Sequence, residues 1–214
     1  MSELTSSARS SAKLAFATGI VIVLWAGYSV LQTLFVVGRV SETWSAILGF
    51  IPGILGVTVL LSAGMTRQDC YLPLKPLSLC GFSVLAAVFM FALVAILPFS
   101  VWQGWSWKAA LLLAPASGIS QELFFRSSLL PTMQVIFKKR QGLALILHSI
   151  LFGLWHIGPL FVGAPIWAVI AVMVVPFLSG LGWGWQVSRD RTVIWAMVQH
   201  SLIWVIGLQF AITE

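Results

Sequence analysis

What most limits the fold of this chain is the way its charge is distributed. Seven apolar segments, each long enough or nearly so to cross about 30 Å of hydrocarbon, follow one another with charge confined almost entirely to their connections. They run Leu14–Val37, Trp44–Gly64, Leu79–Leu97, Trp107–Leu130, Gly142–Ile157, Ile166–Val187 and Val193–Ile212, the fifth being the shortest. A soluble globule carries about a quarter charged residues, whereas this chain carries 8%, with 59% hydrophobic residues and a mean hydropathy of +1.00. The expected fold is an all-α polytopic membrane protein, a bundle of about seven transmembrane helices in one domain over residues 14–214.

The connections also set an orientation. Counting the amino terminus with the even-numbered loops puts Arg9, Lys13, Arg67, Lys75, Lys138, Lys139, Arg140, Arg189 and Arg191 on one side, against Arg39 and Lys108 on the other. By the positive-inside rule the amino terminus is cytoplasmic and the carboxyl terminus outside. The same placement explains the net charge of +6 without a nucleic-acid surface, so no nucleic-acid partner is expected. Residues 1–13 resemble the start of a signal peptide. However, the run that follows is about 24 residues, too long for the apolar core of one, and reads as a retained span behind a short cytoplasmic tail.

Several features have plain structural readings. Cys70 and Cys80 show no CxxC or Cys/His spacing, and Cys70 falls on the reducing side, so neither a disulfide nor a thiolate metal site is expected. Trp44, Trp102, Trp105 and Trp107 cluster at span ends as an aromatic belt. Gly180-Leu181-Gly182-Trp183-Gly184 lies inside a span and suits close helix packing rather than a nucleotide loop. Pro52, Pro115 and Pro176 fall within spans and are expected to kink them.

Against this background Ser120-Gln121-Glu122-Leu123-Phe124-Phe125-Arg126 stands out. Glu122 is the chain's only acid inside an apolar run, and Arg126, four residues on, shares its helix face and can pair with it. A charge at mid-bilayer costs about 2.5 to 3.5 kcal/mol on insertion scales, so such a pair marks an inward-facing surface. All three histidines, His148, His156 and His200, also lie within expected spans, which points to a shared polar cavity. His148, Phe152 and His156 form one stripe, and His200 shares a face with Trp204. Glu122 and His156 each lie about 16 residues from the basic fourth loop, or about 24 Å along antiparallel helices, so they should be level. A zinc site built from the histidines and Glu122 is disfavoured because nothing reads HExxH. A transporter would show repeated halves, and none is seen.

The segment from Ala114-Pro115 to Arg126, then Phe152-Gly153-Leu154-Trp155-His156, then His200-Ser201-Leu202-Ile203-Trp204, resembles the three motifs EExxxR, FxxxH and HxxxN/D of the CPBP (CAAX protease and bacteriocin-processing, or Abi) intramembrane proteases. The similarity covers the chain from Trp107 on. It implies a helical bundle around a conical cavity in which a glutamate and a histidine activate water for peptide hydrolysis. It also implies residence in a bacterial cytoplasmic (inner) membrane and no cofactor or metal. Carried over by position, the site residues are Gln121, Glu122, Arg126, His156, His200 and Trp204.

Two of these positions depart from the pattern. Gln121 holds the place of the presumed base, and a carboxamide has no lone pair basic enough to deprotonate water near neutral pH. Trp204 replaces the amide of motif three with a bulky group that donates one hydrogen bond and accepts none. Glu122 is a poor substitute, since it points about 100° away from Gln121 and is neutralised by Arg126. The expectation is a catalytically degenerate homologue that binds or scaffolds another membrane protein or a lipidated or transmembrane peptide. The alternative is an active endopeptidase cleaving a membrane-proximal peptide, with Glu122 as the base.

Overall fold

The computed structural model describes residues 2–96 and 100–212; Leu97, where the third expected span ends, and the side chain of Cys80 lie outside the described residues. Among the described residues, regular structure is helical apart from one short strand pair, and four helical segments are long and apolar enough to cross a membrane: Ser11–Val36, Glu42–Ser62, Gln141–Val162 and Ile166–Asp190. The elements are α1 (Ser2–Val36), α2 (Glu42–Leu48), α3 (Phe50–Ser62), α4 (Leu79–Ile96), β1 (Ser100–Trp102), α5 (Ala114–Phe124), α6 (Leu130–Ile136), α7 (Gln141–Leu154), α8 (Ile166–Asp190), α9 (Ile194–Gly207) and β2 (Phe210–Ile212).

The centre of the bundle is one helical rod running from residue 107 to Ile136, about 45 Å at 1.5 Å per residue. It contains two widened π turns, Ala109–Leu113 before α5 and Phe125–Leu129 before α6. Each stands two residues ahead of a proline, Pro115 or Pro131. A proline has no N–H for the carbonyl four residues back and its ring crowds that carbonyl, so the preceding turn widens. The i to i−5 bonds from Ala114 N–H to Ala109 O and from Leu130 N–H to Phe125 O mark the widening. Thr132 Oγ1 donates to Ser128 O at 2.8 Å, so a side chain serves a carbonyl of the second widened turn.

The rod lies between α3 and α9, with α7 and α8 paired beside it, α4 against α8 and α9, and α1 across α3. Close approach depends on small residues. At Gly118 a Cβ would lie 2.6 Å from Ser201 N, so α5 and α9 touch backbone to backbone. The expected glycine seam of α8 is present: Gly180 faces Ser149, and Gly184 faces Leu145 and His148.

The second span turns at Gly49, between α2 and α3, yet the Gly49 backbone stays in the right-handed helical region and its N–H bonds to Ser45 O at 2.9 Å, so Glu42–Ser62 remains one segment long and apolar enough to cross. Other expectations are corrected. The seventh span does not run as a helix to Ile212. It stops at Gly207, and Phe210–Ile212 pairs antiparallel with Ser100–Trp102. The buried amide of Gln209 secures this end, accepting from Ser106 N–H at 2.8 Å and donating to Val205 O at 3.0 Å. The fifth helix ends at Leu154, so His156 stands in the turn beyond it, followed by a 3₁₀ turn, Gly158–Val162, that meets Val36 of α1.

Residues of three even-numbered connections meet at one end of the bundle. Val193 N–H donates to Tyr71 O at 2.8 Å, Tyr71 Oη donates to Gln134 Oε1 at 2.6 Å, and Ser78 Oγ donates to Asp190 Oδ2 at 2.8 Å. Trp44, Trp102, Trp105 and Trp107 are all exposed, as belt residues should be.

Candidate functional site

Glu122, on the last turn of α5, is fully buried and holds two partners. Arg126 Nε lies 3.0 Å from Oε2 and His200 Nδ1 lies 2.7 Å from Oε1. The first contact is the i,i+4 pair the sequence suggests, and it spans the boundary between α5 and the second π turn. The second joins α5 to α9 across the Gly118–Ser201 contact, so the missing Cβ at Gly118 brings imidazole and carboxylate together. Burying the Glu122 or the Arg126 charge alone would cost several kcal/mol, and these two persist here because each has the other.

Trp204 sits one turn beyond His200 and donates its indole N–H to His200 Nε2 at 3.0 Å. An indole can only donate, so Nε2 carries the lone pair and Nδ1 carries the proton that goes to Glu122. The histidine is thus held as the neutral Nδ1–H tautomer. Its ring is stacked on Trp183 at 4.6 Å and lies nearly parallel to Trp204. Trp183 is itself fixed by donating to Gln199 Oε1 at 2.9 Å, and Gln199 Nε2 donates to Gly81 O at 3.2 Å.

His156 lies at the other side of an aromatic layer. Its Nδ1 faces Phe152 O at 2.9 Å, the last turn of α7, which makes Nδ1 the donor and leaves Nε2 as a free acceptor in the neutral ring. The Phe152 ring touches both imidazoles edge-on, His156 at 5.2 Å and His200 at 6.2 Å between centroids. Gln121 is buried, and its Oε1 has no hydrogen-bond partner among the described residues.

The structure therefore joins Glu122, Arg126, His200 and Trp204 in one connected network and brings His156 to it through Phe152. Gln121 is adjacent in sequence but makes no polar contact to that network through its oxygen. His148, on the same α7 stripe, is fully buried one turn before Phe152. Among the described residues no three His, Cys, Asp or Glu side chains gather as a metal-ligand set would.

Two contributors escaped the sequence reading. Trp183 was taken with its neighbouring glycines as packing, yet it forms one wall of the His200 site and lies over the Arg126 guanidinium at 5.4 Å. Tyr28 of α1 packs on Phe124, Phe125 and Trp155, and its carbonyl accepts the Trp155 indole N–H at 3.1 Å. Trp155 in turn abuts His156 at 4.8 Å. A lone phenol in an apolar run gives no signal beyond core packing.

Chemically, the arrangement suits holding rather than proton abstraction. Both Glu122 oxygens are engaged, Glu122 is sealed from solvent, and the His200 lone pair is taken by Trp204. Residues 101–206 match the family model described as Rce1-like, type II CAAX prenyl endopeptidase. No curated protein and no solved structure matches the chain.

Proposed function

We propose that this chain, whose residues 101–206 match the Rce1-like type II CAAX prenyl endopeptidases, a family of intramembrane proteases, keeps the family's helical frame, has lost hydrolysis, and binds a transmembrane partner or a lipidated membrane peptide. The observation that carries this reading is the closed chain Trp204–His200–Glu122–Arg126. Glu122 Oε1, both His200 nitrogens and the Trp204 N–H are hydrogen-bonded to one another, Glu122 Oε2 lies against the Arg126 cation, and Gln121 offers no base in their place. A protease of this kind must abstract a proton from water, and general-base catalysis contributes about 10²–10⁴-fold in rate.

The proposal extends to topology and location. Seven spans, a cytoplasmic amino terminus, an outer carboxyl terminus and a bacterial inner membrane fit the charge pattern, and the even-numbered connections gathered at one end support it. Residues 14–214 then act as one domain, with Gln121, Glu122, Arg126, His156, His200 and Trp204 lining the recognition site.

One observation favours the alternative of an active endopeptidase. His156 Nε2 is an uncommitted acceptor, able to hold a water or a peptide N–H. The test is restoration. Gln121→Glu and Trp204→Asn together supply a base and release His200 Nε2, and cleavage of a membrane-proximal peptide panel should appear in the double variant alone. Equal cleavage by the unmodified protein would overturn the reading.

A further inference from the structure

Arg126 has more donors than the site uses. Its Nε lies 3.0 Å from Glu122 Oε2 as an ion pair without hydrogen-bond geometry, and Nη1 and Nη2 are completely buried with no hydrogen-bond partner among the described residues. The Phe152 ring lies 4.3 Å from the guanidinium carbon and Trp183 5.4 Å, so two aromatic faces cover the cation without accepting its N–H groups. His148, one turn before Phe152 on α7, is also completely buried, and neither ring nitrogen has a partner. The Phe125 carbonyl approaches His148 without closing a hydrogen bond of ordinary geometry. On the α8 side the neighbour is Gly184, which brings no polar side chain to the imidazole: a Cβ there would lie 3.5 Å from His148 Nδ1 and 2.6 Å from Leu145 Cδ1. The hydroxyl of Ser127, next to Arg126, is unpaired as well. Gln186 Oε1 is also unpaired, but its amide lies against Gly81 of α4 and is not part of this group.

Four guanidinium N–H groups and an imidazole cannot all go unserved in so dry a setting, because each unmade bond costs about 1–3 kcal/mol, and more for a charged group. We propose that Arg126 and His148 line an internal hydration site, separate from the Glu122–His200–Trp204 chain and behind the Phe152–Trp183 layer, that holds one or a few waters between the guanidinium and the imidazole. Water fits where an anion does not: Glu122 already balances Arg126, and a second negative charge would have no counterion. A water accepts from Nη and donates to the unprotonated nitrogen of His148, so both orphans are served by a neutral ligand. The site gives Arg126 bonds on both sides and fixes the carboxylate from behind. The inference does not depend on whether the protein hydrolyses peptides.

X-ray radiolytic labelling of the unmodified protein in lipid nanodiscs tests it, because radicals formed from bound water oxidise adjacent side chains. Normalised to the intrinsic radical reactivity of each residue type, oxidation of Phe152 and Trp183, both buried, should stand well above that of Leu60, which is equally buried in the apolar core. His148→Leu should reduce the labelling to the Leu60 level. Labelling of Phe152 and Trp183 no higher than Leu60 in the unmodified protein would overturn the proposal. Should His148→Leu fail to fold, a high-resolution density map decides independently. An isolated peak within hydrogen-bonding reach of Arg126 Nη and His148 supports the site, while its absence, or a bromide-exchangeable anion there, refutes the assignment to water.

Discussion

Replacing Arg126 with methionine removes the charge while keeping an unbranched apolar chain against Phe152 and Trp183, so packing loss is small and the electrostatic loss is isolated. Glu122, fully buried, is left with only the His200 Nδ1–H bond at 2.7 Å. Removing one member of a buried pair costs about 3–5 kcal/mol, most of it the penalty of stranding the other charge. One feature favours the lower end: the Nη groups, which make no hydrogen bond to protein, are removed with the arginine. We expect a loss of about 3 kcal/mol. Glu122→Gln should cost a similar amount because it strands the guanidinium. The double variant Glu122→Gln/Arg126→Met strands neither, so its cost should fall well short of the sum, by up to about 3 kcal/mol as contacting residues allow. Reversible SDS titration in mixed micelles, followed by tryptophan fluorescence, measures all three variants. A single-variant loss under about 1 kcal/mol, or strict additivity in the double variant, would refute the claim that this pair is a mutually dependent buried unit.

Further outcomes follow from the same contacts. Gly118→Ala places a methyl 2.6 Å from Ser201 N, a backbone atom that cannot move aside, so the α5–α9 seam opens; unfolding titration should show a loss of about 1–3 kcal/mol, and Ser201→Ala should not relieve it. Asp69 accepts from Thr66 Oγ1 at 2.7 Å and Thr66 N–H at 2.8 Å, and these bonds, with Arg191 adding a weaker contribution, hold its carboxyl below the ordinary 3.8. A lowered folded pKa contributes stability above the unfolded value and loses it as pH falls through the folded one. The stability advantage of the unmodified protein over Asp69→Asn should therefore be full near neutrality and vanish in acid below 3.8. Burial pushes the Cys70 thiol up to about 11, so in a Cys80→Ser background it should resist maleimide at pH 8 until the protein is unfolded.

Local spacing made part of the site readable. Glu122 with Arg126, and His200 with Trp204, are i,i+4 pairs on single helices, and both contacts form. The contact between Glu122 and His200 joins residues 78 apart in the chain; only the resemblance of three ordered motifs brought them together in advance, since depth counted from the basic loops paired Glu122 with His156. Trp183 was hidden because an aromatic among glycines reads equally as packing, and Tyr28 because its contacts are to elements more than ninety residues away. In the fold, charge placement revealed the apolar helical character. It did not reveal the β1–β2 pairing, since Phe210–Ile212 is as apolar as the helix before it and its partner strand is remote in sequence. Pro115 signals disturbance of the central rod, and a widened turn stands just ahead of it; the matching turn ahead of Pro131 has no counterpart in the sequence reading.

The central claim is that a committed Glu122, a capped His200 and a non-basic Gln121 leave a site that recognises without cutting. The most direct measurement is turnover by the purified, unmodified protein in lipid bilayers on prenylated and unprenylated membrane-proximal peptides, read by mass spectrometry. The account predicts intact peptides at levels of Gln121→Ala and His156→Ala controls. Cleavage by the unmodified chain that disappears in His156→Ala or Glu122→Gln would contradict it.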